Sequence, residues 1–294
     1  MRRSQISAGR LVGDVDLGLE NTRVVGTVKD QARMDFPGGR IPGRSVQAID
    51  VTGLTQNYHI GTRRRQDQRT FHYMRADATY GIERSYWSAA TARQYKDDDS
   101  EDTIQGVTVG DQVEDSVTLV ILDSNASHVL DFFAGGWVYV RSSSAEIQFH
   151  RIRSSTAQAT TGTSVTLTLW DPLSRACAAG VSMAVFPSPY SAVASCRIPG
   201  FQSYHRVHIC MPITPVAVLE YFWGQTWGPT YAVPSGVFPR ANYEARLTFS
   251  YDGGVNLEQT VAANMVPQRA GYRLFDYVDD PTGALILMQL EIAP

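Results

Sequence analysis

Lysine is almost missing from this chain: of 26 basic residues only Lys29 and Lys96 are lysines, and the others are arginines. Mobile point charges are therefore scarce, and planar, multi-donor contacts are favoured wherever positive charge is used. Cysteine is scarce too. Cys177, Cys196 and Cys210 are an odd number scattered through apolar surroundings, which excludes a paired disulfide framework and a Cys-x-x-Cys metal site and predicts buried free thiols. No apolar run reaches the 18 residues or so that a membrane-spanning helix needs, and Ser4 to Arg10 after Met1-Arg2-Arg3 is not an apolar leader core. The expectation is a protein made and kept in a reducing cytoplasm, with no membrane partner.

Motif chemistry is equally sparse. There is no phosphate-cradling GxxxxGK[ST], no GxGxxG, no HExxH, no GxSxG elbow and no fixed-period repeat. In His205-Arg206-Val207-His208-Ile209-Cys210 a strand would put His208 and Cys210 on one face and His205 on the other, which leaves two ligands where zinc needs more. Asp276, Asp279 and Asp280 could supply a carboxylate pair for glycoside hydrolysis, but Asp279-Asp280-Pro281-Thr282-Gly283 reads first as a turn. Asn125-Ala126-Ser127 matches a glycosylation sequon with no secretory route to use it. These absences predict a chain that is not an enzyme, binds no metal and needs no cofactor.

Its 294 residues, 43% hydrophobic and 19% charged, are enough to bury roughly three quarters of the unfolded surface. A net charge of -3 gives no global attraction to nucleic acid, and the aromatics beside Arg63, Arg64, Arg65 and Arg69 permit single-strand binding without specifying it. Charge is nevertheless uneven. Residues 1–75 carry 13 basic against 7 acidic side chains, densest at Arg63-Arg64-Arg65, whereas 97–115 holds eight acidic residues and no basic one. The acidic run lacks the spacing and glycine of a calcium loop and reads as a solvated linker.

Periodicity predicts strands throughout. Arg69–Met74 alternates after the Gly61-Thr62 turn, and short runs rich in β-branched and aromatic residues follow at 117–122, 137–141, 146–153, 165–170 and 181–186. Further strands are expected near 205–211, 218–226, 244–250 and 285–292, and a short helix over 80–96. The fold class is all-β: an extended N-terminal arm followed by two β-sandwich or barrel-like domains. The expected divisions are an extended basic arm over 1–50, a strand-turn-strand plus acidic linker over 51–115, a β domain over 116–200 and a C-terminal β domain over 201–294.

Tyr221-Phe222-Trp223-Gly224-Gln225-Thr226-Trp227-Gly228-Pro229 packs four aromatics into seven residues and ends on Gly-Pro, which reads as a strand with a hard stop. Strict alternation would place Tyr221, Trp223, Gln225 and Trp227 on one face. Such a row fits either a buried core or a subunit interface, and Tyr221, Trp223 and Trp227 are the candidates for core or trimer packing.

Three segments together resemble structural proteins of tailed bacteriophages, the head decoration or cement proteins encoded beside the major capsid protein. The first is Tyr58-His59-Ile60-Gly61-Thr62 followed by Arg69-Thr70-Phe71-His72-Tyr73. The second runs from Phe133-Ala134-Gly135-Gly136-Trp137-Val138 through Phe149-His150-Arg151-Ile152 and Val165 to Leu169, ending at Pro187-Ser188-Pro189-Tyr190-Ser191. The third is Tyr221 to Pro229. The resemblance implies an all-β virion protein assembled in the host cytoplasm. It would sit as a homotrimer on the outer capsid surface, with the major capsid protein as its partner. Arg40, Arg44, Arg63, Arg64 and Arg65 are then the candidates for capsid contact. A head fibre that binds a receptor or glycan is the alternative, since exposed aromatics on β-sheets can stack on sugars.

Overall fold

The computed structural model of the chain describes residues 23–25, 32–35, 39–91, 104–122, 128–141, 147–158, 164–196, 207–235, 246–250, 252–258, 268–275 and 285–292. They form eighteen strands and, among the described residues, no helix. In chain order the strands are β1 (Arg23–Val25), β2 (Ala32–Asp35), β3 (Arg63–Gln66), β4 (Arg69–Arg75), β5 (Ala89–Thr91) and β6 (Ile104–Thr108). Then come β7 (Thr118–Leu122), β8 (Trp137–Arg141), β9 (Ile147–Ser155), β10 (Ser164–Leu169), β11 (Ser182–Phe186) and β12 (Val193–Ser195). The last are β13 (His208–Pro212), β14 (Tyr221–Ala232), β15 (Arg246–Phe249), β16 (Val255–Leu257), β17 (Arg269–Phe275) and β18 (Ile286–Glu291).

Six of these close a barrel in the order β10-β7-β6-β11-β8-β9, all antiparallel. Period-two side chains drive the closure. Alternate residues of β7, β8, β10 and β11 are buried, so Leu119, Ile121, Val138, Val140, Val165, Leu167, Met183 and Val185 fill one interior. Phe133, from the turn before β8, packs with them.

The other strands build a twelve-stranded sheet whose main path is β1-β2-β3-β4-β14-β18-β17-β15-β16. Sheet membership cuts across the expected divisions. Strand β4, hairpin partner of β3, pairs with β14, some 150 residues later, and the barrel is an insertion between β5 and β12, which lie antiparallel with Val193 opposite Thr91. The chain thus leaves the sheet and returns to it side by side. Strand β6 makes part of the expected acidic linker a barrel stave, and the Asp111 carboxylate accepts a 2.9 Å hydrogen bond from the Ala179 backbone amide. Part of the expected arm is strand as well: β1 and β2 pair, and β2 continues the sheet beyond β3.

Of the expected helix, the described residues 80–91 are turn and strand. Ala89 and Ala90 are buried between β12 and β13, where extended backbone can satisfy both neighbours. The expected stop at Gly228-Pro229 is also absent, because β14 runs on to Ala232. The Ile292 amide donates to the Thr226 carbonyl, so even-numbered positions of β14 bond to β18 and Pro229 turns its missing N–H to the other edge. There the Gln225 side-chain amide donates to the carbonyls of Trp227, Gly228 and Pro229 at 3.1, 3.2 and 3.0 Å, standing in for a strand.

Candidate functional site

Strand β14 carries the first candidate. Trp223 lies opposite Tyr73 and Gln225 opposite Phe71, but a bulge between Gln225 and Trp227 places Trp227 opposite Thr70. Because Thr70 and Phe71 point to opposite faces, the two indoles are on opposite faces too, which corrects the alternation read from the sequence. Trp223 is 1% exposed in a cluster with Tyr58, Phe71 and Tyr73, its ring 4.9 and 5.0 Å from those of the two tyrosines. Trp227 is half-buried, and Tyr221 is half-buried with its ring stacked 5.9 Å from Tyr73.

Gln47 ties the polar tips of this cluster together. Its carbonyl accepts from Trp223 Nε1 at 3.2 Å and Arg64 Nη1 at 3.1 Å, and its Oε1 accepts from the Tyr73 hydroxyl at 2.8 Å and Asn57 Nδ2 at 3.0 Å. Its Nε2 donates to the carbonyls of Val51 at 2.7 Å and Tyr221 at 2.9 Å. Burial pushes the Tyr73 hydroxyl pKa well up, so it stays a neutral donor.

The arginines separate by face. Arg64 is 6% exposed, with its guanidinium 5.7 Å over the Trp223 ring, and so packs into the core. It points inward because β3 alternates, so Arg63 and Arg65 take the opposite face, half-buried and exposed respectively. Arg40 is half-buried in a bridge to Tyr58, and Arg44 is exposed at a turn.

The second candidate is the joint between barrel and sheet, where the segments at 58–62, 69–73, 133–138, 149–152 and 187–191 meet. A Cβ on Gly61 would lie 2.9 Å from Arg151 Nη2 and 3.3 Å from the Tyr190 ring, and one on Gly135, at φ 76°, would lie 2.9 Å from the Ile60 carbonyl. Gly136 presses on the Phe186 carbonyl and would put a Cβ 2.9 Å from both Pro187 C and Ser188 N. The His72 ring stacks on Tyr190, and Arg75 N donates to the Tyr190 carbonyl at 3.0 Å. Arg151 lies 5.5 Å over Trp137, Arg153 lies 5.2 Å over Trp170, and His59 meets Trp170 edge-on. Burial pushes the Arg151 guanidinium pKa down to about 10, with Tyr190 opposing, and pushes His72 down to about 4, helped by Arg63 and Arg151. The joint is therefore a tight backbone contact lined by cations and neutral imidazole.

A third cluster escaped sequence reasoning because its members are far apart in the chain. His208 Nδ1 lies 2.8 Å from Ser88 Oγ and 3.4 Å from Cys196 Sγ, while the Ser88 hydroxyl donates to the Gly253 carbonyl at 2.8 Å. With the serine hydrogen used there, the assigned tautomer has Nδ1–H donating to Ser88. Phe249 stacks on the ring at 4.5 Å, and Gln268 clamps the His208 backbone at both N and O. All three side chains are buried, so the cluster ties β5, β12 and β13 together.

The register shift between His208 and Cys210 removes the shared face expected of them, and among the described residues no group of three or more His, Cys, Asp and Glu could hold a metal ion. His205, Asp276, Asp279, Asp280 and the Asn125 sequon lie outside the described residues.

No protein-family model, no curated protein and no solved structure matches this chain.

Proposed function

We propose that the chain is a virion structural protein, a capsid decoration or cement protein that binds the outer surface of a tailed-phage head and stabilises contacts between major capsid subunits, as a homotrimer. The observation that carries this reading is that most of the first two resembling segments, at 58–62, 69–73, 133–138, 149–152 and 187–191, come together at one joint. Gly61, His72, Gly135, Gly136, Arg151 and Tyr190 fix how a barrel sits on a sheet. What these segments encode is a body plan, and a protein that clamps a shell depends on the stiffness of its body.

A second reading, a head fibre that binds a receptor or glycan, is favoured by one feature. Phe149 is 58% exposed on the barrel's outer face, close to an open trough of about 400 Å³ lined by Val107, Tyr139, Arg141 and Ala184. A glycan array separates the readings: binding lost on Phe149→Ala promotes the second.

The test of the first is reconstitution. Heads of the phage that encodes the chain, stripped of it, should rebind purified protein with saturation and gain resistance to heat or chelator. Absence of the protein from purified particles, or its presence only in tails, contradicts the proposal.

A further inference from the structure

Arg151 is a half-buried cation, on β9 at the joint between barrel and sheet, that folding leaves without an anion. The Trp137 ring covers the face of its guanidinium at 5.5 Å, but the five N–H bonds of a guanidinium point outward in its plane, so a ring against the face satisfies none of them. Among the described residues the group has no hydrogen-bond acceptor and no ion-pair partner, and its Nε is shut off from solvent as well. Asp131 acts on His59 and Asp171 on His150, yet no carboxylate is among the groups that act on Arg151. A desolvated charge in this position calls for a partner that the chain itself does not supply.

Tyr190 lies beside it. A Cβ at Gly61 would be 2.9 Å from Arg151 Nη2 and 3.3 and 3.8 Å from Tyr190 Cδ2 and Cε2, which gathers the guanidinium and one edge of the phenol around a single backbone point. The Tyr190 hydroxyl likewise has no acceptor among the described residues. Unlike Nε, the Arg151 Nη groups and this hydroxyl are open to solvent, so a ligand can reach them. Their frame is fixed: the Tyr190 ring stacks on His72, its carbonyl accepts from Arg75 N at 3.0 Å, and the Gly61 amide donates to the Tyr73 carbonyl at 2.8 Å. His72 is neutral at pH 7, and Arg63, which acts on it, brings positive charge.

From this we infer that the Arg151 Nη edge and the Tyr190 hydroxyl form a binding site for a small oxyanion, a carboxylate or a phosphate, held in the guanidinium plane. Two oxygens of such a group match the guanidinium fork, and the phenol adds a third donor. The inference goes beyond the capsid reading and does not depend on it. Two sources carry this chemistry, a free ion and an aspartate or glutamate side chain of a bound protein, and the experiment separates them.

The full chain is unfolded thermally at pH 7 in increasing sodium acetate or sodium phosphate, with ionic strength held constant by sodium chloride. The parent should show a rise in midpoint that saturates, as binding to the folded chain requires. Tyr190→Phe keeps the stack on His72 and removes one charge-assisted donor, so the half-saturating concentration should increase about tenfold. Arg151→Gln should abolish the saturation. A rise that grows without saturating, as exclusion of salt from the surface gives, overturns the site, and so does equal saturation in parent and Arg151→Gln. Should Arg151→Gln fail to fold, Tyr190→Phe decides alone: an unchanged half-saturating concentration overturns the site. Rebinding to stripped heads in acetate or chloride at equal ionic strength then assigns the source: competition by acetate identifies a carboxylate of the shell, and undiminished rebinding identifies a free ion. Heads that do not bind the parent at all overturn the capsid reading and leave the midpoint result standing.

Discussion

The imidazole of His72 lies flat against the phenol of Tyr190, ring centroids 5.0 Å apart and planes 9° from parallel, at the point where the inserted barrel rests on the sheet. Strand β4 supplies one ring, and the loop that returns from the barrel supplies the other. On its other side the His72 Nδ1 meets Thr226 Oγ1 at 3.1 Å, so one side chain touches the sheet interior and the joint together.

Acid should loosen this joint. His72 titrates near 4 when folded against an ordinary 6.5, chiefly because of burial, so between those values the unfolded chain binds more protons and stability falls as pH falls. The full effect is on the order of 3 kcal/mol. Urea unfolding at pH 7 and pH 4.5 should register most of it. His72→Phe keeps the stack, and although it costs about 1 kcal/mol at pH 7 through the lost hydrogen bond to Thr226, it should shrink the difference between the two pH values. An equal pH difference in the variant contradicts the assignment.

Gly136→Ala should cost about 3 kcal/mol or more, because its methyl would meet the Phe186 carbonyl and the backbone of Pro187 and Ser188, none of which can rotate away. Gly110→Ala, where nothing lies within 4 Å, tests the contrast: its penalty is limited to that of a left-handed residue, about 1 kcal/mol. Thermal unfolding of the two variants side by side gives the comparison.

The two tryptophans of β14 should differ. Trp223→Ala empties the centre of the aromatic cluster and leaves the Gln47 carbonyl one donor short, at about 3–5 kcal/mol. Trp227→Ala, at a half-buried site on the other face, should cost half of that or less. Equal losses in chemical unfolding would show that the bulge does not separate them.

Much of the strand pattern could be read directly. Trp137 to Arg141 is a strand with the expected limits because its alternation is local and both its neighbours are antiparallel. The course of β14 through Pro229 was not legible, since the parity that excuses a proline is set by β18, some 60 residues on. Nor was the inward turn of Arg64: three arginines in a row carry no sign of which faces a tryptophan. The barrel's place as an insertion depends on β5 meeting β12 a hundred residues later, a long-range pairing that composition does not record. For the same reason the joint was visible only as separate glycine-rich turns, and Ser88 was not seen as a partner of His208.

Thiol chemistry offers an independent check on the core. Burial, with Cys196 nearby, pushes the Cys210 thiol pKa well up, and burial pushes Cys177 up as well, so neither supplies thiolate in the folded chain. Iodoacetamide should leave Cys210 unmodified until the sheet unfolds, and mass spectrometry of partly denatured samples should show its labelling track the main unfolding transition. Fast labelling of Cys210 in the native protein would contradict its packing against Gly224, where an added Cβ would lie 2.6 Å from Cys210 Sγ.

The most direct test of the proposed function is a density map of the intact head of the phage that encodes this chain. The prediction is density on the outer capsid surface into which the barrel and the sheet fit as one body. Heads with no such density, or density for the chain found only in the tail, would contradict it.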